Sequence, residues 1–278
     1  MSNKSVERIE RTLRETEVVA ATGIILSSLE YLCQPQVFEK KGGLLSWDVG
    51  RTRLRSTAHR RADFLDAAFN PPGIHALVAL RLTAAVLSAV PGTSSRVRAT
   101  AASYLAVTNV AMHVRNSYGG DGSDHMNVLV HSALSVARWF PNDKRVQEIT
   151  TLFLAAQVCL SYAAAGAAKL ISPYWRDGTA MSGIFRTRTY GHRLAHNLLA
   201  KYPALAKVGG WGVIAGELSF PLVLVANKPI AKALLATGTA FHIGNAVFMG
   251  LNRFVWGFGA GYPSIGYHAR ALSKAAVK

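Results

Sequence analysis

Lys169 is the single charged residue in the apolar run from Ile149 to Ile171; the other ionisable groups there, Cys159 and Tyr162, are neutral at pH 7. An ammonium in such surroundings is costly to keep. On a helix the lysine leans toward the N-terminus, over Ala165 and Gly166, which are too small to fill the space beneath it. The stretch YAAAGAAKLISPYWRDG (Tyr162–Gly178) thus predicts a small pocket around an isolated amine. Other residues able to do chemistry are scattered along the chain: His125 in GGDGSDHMN, Glu217 in GELSFP, Arg81 in an apolar run, and His242 and Asn245, three apart and so on one helical face. Intramembrane ions almost always pair or line a polar cavity.

Each has a plainer reading beside it. Lys169 also fits a lysine snorkelling at the end of a span, and His125 a helix-start residue beside a cap at Ser123 or Asp124. His242 and Asn245 suit interhelical hydrogen bonding, and Glu217 with Arg81 a buried structural pair. Trp175 and Trp211 fit an interfacial aromatic belt. Only His192 and His196 have HxxxH spacing, in a connecting segment, so no metal site is expected.

The elements that must position these residues are helices in a bilayer. Half the 278 residues are apolar and 17% are charged, which departs from ordinary soluble composition. The apolar residues come in runs close to the ~20 needed to cross a membrane. Eight candidate spans follow: Val18–Leu32, Gly73–Val90, Ala99–Val114, Met126–Phe140, Ile149–Ile171, Val208–Ala226, Ile230–Leu251 and Phe254–Tyr267. The last is short, glycine-rich and interrupted by Pro263, which suits a re-entrant or interfacial piece.

The expected fold is therefore all-α, a polytopic integral membrane bundle of about seven or eight helices. Its expected divisions are an amphiphilic tail (1–17), one transmembrane domain (18–267) and a basic tail (268–278). Two long connections, Cys33–Pro72 with RTRLRSTAHRR (Arg51–Arg61) and Ser172–Lys207, suit helices lying on the membrane. The net charge of +16 falls almost wholly between apolar runs, which favours anionic lipid headgroups over nucleic acid as partner. MSNKSVERIERTLRETE mixes acids and bases and is not a signal-peptide start, so the first run reads as a retained span. The short loops place the N-terminal side in the cytoplasm. If the spans alternate as drawn, Lys169 and His125 share one leaflet, and His242 and Asn245 can face the same cavity.

AAAGAAKLISPYWRDGTAM (Ala163–Met181) resembles the motif of the vitamin K-dependent gamma-glutamyl carboxylases and their bacterial relatives, the horizontally transferred transmembrane (HTTM) domain proteins. NSYGGDGSDHMNVLVHSAL (Asn116–Leu134) is similar to that family's loop with a functional histidine. FHIGNAVFMGLNRF (Phe241–Phe254) and GELSFP (Gly216–Pro221) are similar to its late histidine-bearing span and the acidic span before it. The resemblance implies oxidation of a reduced quinone, vitamin K or menaquinol, by dioxygen, with carbon dioxide captured by a peptide glutamate. It also implies that Lys169, as a neutral amine desolvated in its pocket, deprotonates the quinol, and that His125 assists at the quinone oxygen. His242, Asn245, Trp175 and Glu217 are the candidates for holding the quinone.

Two departures stand out: Ala168 precedes Lys169 where the family often has a second lysine, and there is no long soluble portion after the last span. The lysine and histidine carry over, and the carboxylation itself does not follow. The alternative is a non-catalytic bacterial membrane protein that assists maturation or export of a toxin-type peptide. Under the first reading the partners are the lipid bilayer and a peptide substrate or small partner protein, in a multi-pass protein of the bacterial inner or cell membrane.

Overall fold

The computed structural model describes residues 3–52, 59–116 and 120–275, and every regular element among them is helical. Residues 53–58 of the basic run, and the ends of both expected tails (1–2 and 276–278), lie outside the described residues. The chain divides into two compact units, Met1–Thr150 and Thr151–Lys278, where one domain was expected.

The first unit holds α1 (Asn3–Cys33), the short α2 (Trp47–Arg51), α3 (His59–Phe69), α4 (Gly73–Ala89), α5 (Ser95–Arg115) and α6 (Gly122–Trp139). Residues 3–17 of the expected tail form the first half of α1, with Ile9, Leu13 and Glu17 buried. Small residues let α1, α4 and α5 approach closely around Ala21, Ile24, Ala84, Ala85, Ala101 and Leu105. A second apolar cluster gathers Phe38, Ile74, Val78 and Met112.

Polar groups tie the same helices together. Arg81 on α4 donates to Thr108 Oγ1 and Asn109 Oδ1 on α5, each at 2.8 Å, and Asn109 Nδ2 lies 3.1 Å from His131 Nδ1 on α6. Arg81 therefore has partners on α5, within its own unit, while Glu217 belongs to the second unit. Arg138 on α6 reaches Glu17 and Glu10 of α1 at 2.7 Å.

Helix α7 (Lys144–Ile171) runs across the boundary into the second unit. It begins earlier than the apolar run because Asp143 accepts hydrogen bonds from the amides of Arg145 and Val146. The second unit continues with α8 (Pro173–Arg176), α9 (Thr179–Phe185), α10 (Arg193–Lys201), α11 (Pro203–Ser219), α12 (Lys228–Met249), α13 (Asn252–Gly259) and α14 (Tyr262–Ala275). The connection after α7 is thus helical, as its amphipathic composition suggested, and α10 exposes Leu194 and Leu198 on one side.

Among the described residues two helices are long and apolar enough to cross a membrane, Val6–Cys33 and Lys144–Ile171; a third candidate is the pair Asp63–Phe69 and Gly73–Ala89, bent by 63°. The other expected spans are helical but fall short in length or apolar content. Helix α11, at 17 residues, covers about 26 Å of a ~30 Å hydrocarbon core. Within α5, Arg96 and Arg98 dilute the apolar run from its first turn onward.

Candidate functional site

The apolar run before Lys169 makes α7, and α11 lies directly on it at Gly166. A Cβ at that position would stand 2.9 Å from Leu218 Cγ and 3.0 Å from Glu217 Cβ. The missing side chain allows the contact, and one turn later the contact places Lys169 against Glu217. Lys169 Nζ donates to both carboxylate oxygens, each at 2.8 Å. The space over Gly166 is therefore filled by α11 rather than open. The amine is also not isolated: it is half of an ion pair. Its other side faces the Trp175 ring, 5.1 Å from Nζ to the centroid, in cation–π contact.

This pair forms part of the wall of a cavity of about 460 Å³. Most of the lining is apolar, from Met181, Ile184 and Phe185 of α9, Phe241 and Phe248 of α12, and Phe254 and Phe258 of α13. Its polar groups are Ser161, Tyr162, Lys169, Glu217, His242 and Asn245. A volume of this size, mostly apolar with a few convergent polar groups, is that of a small-molecule site.

Two turns before Lys169 on α7, Tyr162 begins a chain of ring hydroxyls and one imidazole. Tyr162 Oη lies 2.8 Å from His242 Nε2 and 2.8 Å from Tyr262 Oη. Gly238, one turn before His242 on α12, brings that helix close enough, since a Cβ there would meet Tyr262 Oη at 2.5 Å, Phe220 at 2.8 Å and Tyr162 Oη at 3.0 Å. Stacking holds the rings: Tyr162 on Phe220 at 3.9 Å and His242 on Phe258 at 4.7 Å.

Of the residues singled out in the sequence, Lys169, Glu217, Trp175, His242 and Asn245 all line this one cavity, although they come from α7, α8, α11 and α12. His125 does not line it. It belongs to the first unit, exposed in the first turn of α6, with its ring 4.6 Å from that of His113. The cap of α6 is Asp121, in a capping box with Asp124, rather than Ser123 or Asp124 itself. His192 and His196 have local duties: His192 Nδ1 accepts from the Ala195 amide to cap α10, and His196 Nδ1 lies 3.2 Å from the Ser182 carbonyl.

Sequence reasoning passed over Tyr162, Tyr262, Phe254 and Phe258. Phe254 and Phe258 have an i, i+4 signature in FVWGF, which marks one apolar helical face. The tyrosine pair is separated by a hundred residues and has no local signal. The chain matches no family model, no curated protein and no solved structure.

Proposed function

We propose that this chain is a multi-pass membrane protein, with a quinol as the ligand of the second unit's cavity and the Lys169–Glu217 pair as its proton acceptor. The observation that carries this reading is the convergence in one largely apolar cavity of an ion pair, an indole, an imidazole and a phenol from separate helices. The bundle of seven or eight spans is part of the proposal. It is supported by large apolar side chains exposed along the helices, such as Val107, Leu160 and Val247, while Arg81, Arg138 and Glu217 are buried.

A quinol fits on size and chemistry: a flat apolar ring for the phenylalanines, and oxygens for the polar groups. When bound, it supplies two electrons and two protons to an oxidant, which by resemblance to the carboxylase family is dioxygen. The residues then have distinct tasks. A hydroxyl lodged beside the ion pair can donate to a Glu217 oxygen, which takes the proton because a carboxylate retains lone pairs that an ammonium lacks. Lys169, freed as Glu217 is neutralised, leaves its charge next to the oxygen that lost the proton. This moves the base from Lys169 to its partner and makes the lysine the electrostatic stabiliser. The apolar walls keep water away from both. Carboxylation of a peptide glutamate remains an extension of this reading by resemblance.

The experiment is oxygen uptake by purified protein in lipid with reduced menaquinone, beside Lys169→Met and Glu217→Gln. Uptake lost in both variants supports the proposal; uptake unchanged in both, or absent from the folded wild type, refutes it. The second reading, a non-catalytic protein that assists peptide maturation or export, draws on the same ion pair, because two mutually satisfied charges also serve as a structural clamp. Under it, Lys169→Met/Glu217→Leu retains the cellular phenotype.

A further inference from the structure

The end of the first unit at which α4 stops, α5 starts and α6 turns into α7 holds more positive charge than its carboxylates satisfy. Arg14 and Arg138 are engaged there by Glu17, Glu10 and the carbonyls of Ser88 and Ala89. Arg98 of α5 lies close enough to feel the charges of Arg14, Arg138, Glu17 and Glu10, yet among the described residues it makes no hydrogen bond or ion pair. Its Nε is walled in, while its two Nη nitrogens keep contact with solvent. A guanidinium presents such outer nitrogens as a fork that matches the oxygens of a phosphate or carboxylate. The first turn of α5 supplies no acid to meet it, and Arg96 adds a further exposed cation.

The neighbours of Arg98 say what kind of anion this end suits. Asn109 meets His131 and Ser103 Oγ meets Ser135 Oγ at 2.7 Å, so α5 and α6 run antiparallel, and Arg98, five residues back from Ser103, is level with Phe140. Residues 139–145, the turn from α6 into α7, line a shallow pocket to which Trp139, Phe140, Lys144 and Arg145 contribute. Neither Lys144 nor Arg145 has a side-chain partner among the described residues, and Asp143 Oδ1 is occupied in capping α7. Trp139 is 54% exposed with its Nε1 fixed on Ser103, Phe140 is equally exposed, and Val90 and Val97 are exposed on the two arms of the α4–α5 turn. Cations without carboxylates, set among exposed aromatic and aliphatic groups, suit a ligand with an anionic head and an apolar body. We infer that this end of the first unit binds the phosphate headgroup of an anionic membrane lipid, with Arg98, Lys144 and Arg145 as its cations and Trp139 at the headgroup level. The inference rests on the membrane placement proposed above and is independent of the quinol.

The test titrates the full chain in detergent with phosphatidylglycerol and with phosphatidylcholine of the same acyl chains, counting bound lipid by native mass spectrometry. In the wild type, phosphatidylglycerol should bind about tenfold more tightly. Arg98→Gln combined with Lys144→Gln and Arg145→Gln should bring the two lipids to within about twofold of each other. Arg186→Gln/Arg188→Gln, which removes two exposed cations from the second unit, should leave the preference intact. If Arg98→Gln does not fold, the exposed pair Lys144→Gln/Arg145→Gln alone should lower the preference about threefold. A preference that persists in these variants, or that falls as far in the second-unit pair, overturns the inference. Displacement of phosphatidylglycerol by millimolar glycerol phosphate assigns the site to a soluble anion and also overturns it. A lipid-embedded wild type with equal affinity for both lipids overturns it while leaving the membrane reading standing. A chain that is monodisperse without detergent and takes up neither lipid brings down both.

Discussion

Arg138 in the first unit and Lys169 in the second are both largely buried cations held by carboxylates, and their surroundings differ in one respect. Every guanidinium nitrogen of Arg138 is engaged, Nε and Nη2 with Glu17 and Nη1 with both oxygens of Glu10, while Arg14 adds a further contact to Glu17 at 3.1 Å. Arg14 is itself anchored to the carbonyls of Ser88 and Ala89. That cluster fastens α6 to α1. Lys169 and Glu217 satisfy each other but stand on a cavity wall, where an incoming group can compete for either. The same interaction is a rivet where all positions are filled and an approachable pair where one side borders a cavity.

Breaking the rivet should have the largest effect on folding. Arg138→Leu leaves Glu17, 2% exposed on its side chain, beside Glu10 without the bidentate partner, and should destabilise the protein by about 3–5 kcal/mol in thermal or denaturant unfolding. Lys169→Met should cost less, about 1–3 kcal/mol, because the lysine side chain is 19% exposed and the stranded Glu217 borders a cavity that can admit water or protonate the acid. Adding Glu217→Gln should recover most of that loss. A loss for Lys169→Met as large as for Arg138→Leu would erase the distinction between the two clusters.

Gly166→Ala addresses the geometry that makes the pair. The new methyl meets Leu218 and Glu217, so α11 has to shift, at about 1–2 kcal/mol. The same variant should weaken quenching of Trp175 by cavity ligands. An unchanged melting temperature would mean that the helix contact has no part in placing Glu217.

The smallest effect belongs to a carboxylate in open solvent. Asp177 is held below the ordinary carboxylate range, first by the Thr179 hydroxyl and next by the Thr179 amide, which it accepts at 2.7 and 2.8 Å. A depressed value in the folded state means that its contribution is present above the unfolded value and disappears as pH falls through the folded one. Acidification below the usual carboxylate range should therefore loosen the first turn of α9. The Thr179 amide resonance should report this as a titration that Asp177→Asn abolishes.

The sequence made helical content legible because the apolar runs have the length and period of helices, and it made Lys169, Glu217 and His242 legible because each is out of place in its run. Lys169 and Glu217 were both conspicuous, yet their pairing was not. The sequence reading paired Glu217 with Arg81, and the close approach of α11 at Gly166, which sets Glu217 beside Lys169, has no signal in the local pattern. The tyrosines stayed hidden because a tyrosine in an apolar helix is unremarked until its hydroxyl meets another. The two-unit division was also hidden, since α7 runs through it as one unbroken helix.

Gly238 bears on how this sequence can change. Its missing side chain is the room in which two phenol oxygens and the Phe220 ring meet α12. Histidine or tyrosine can be exchanged for a residue that keeps some of their bonding, but position 238 offers no such half-measure, since even alanine brings a carbon to 2.5 Å from Tyr262 Oη. Among descendants of this chain that retain the hydroxyl relay, the residue with no chemistry of its own should be the least free to vary.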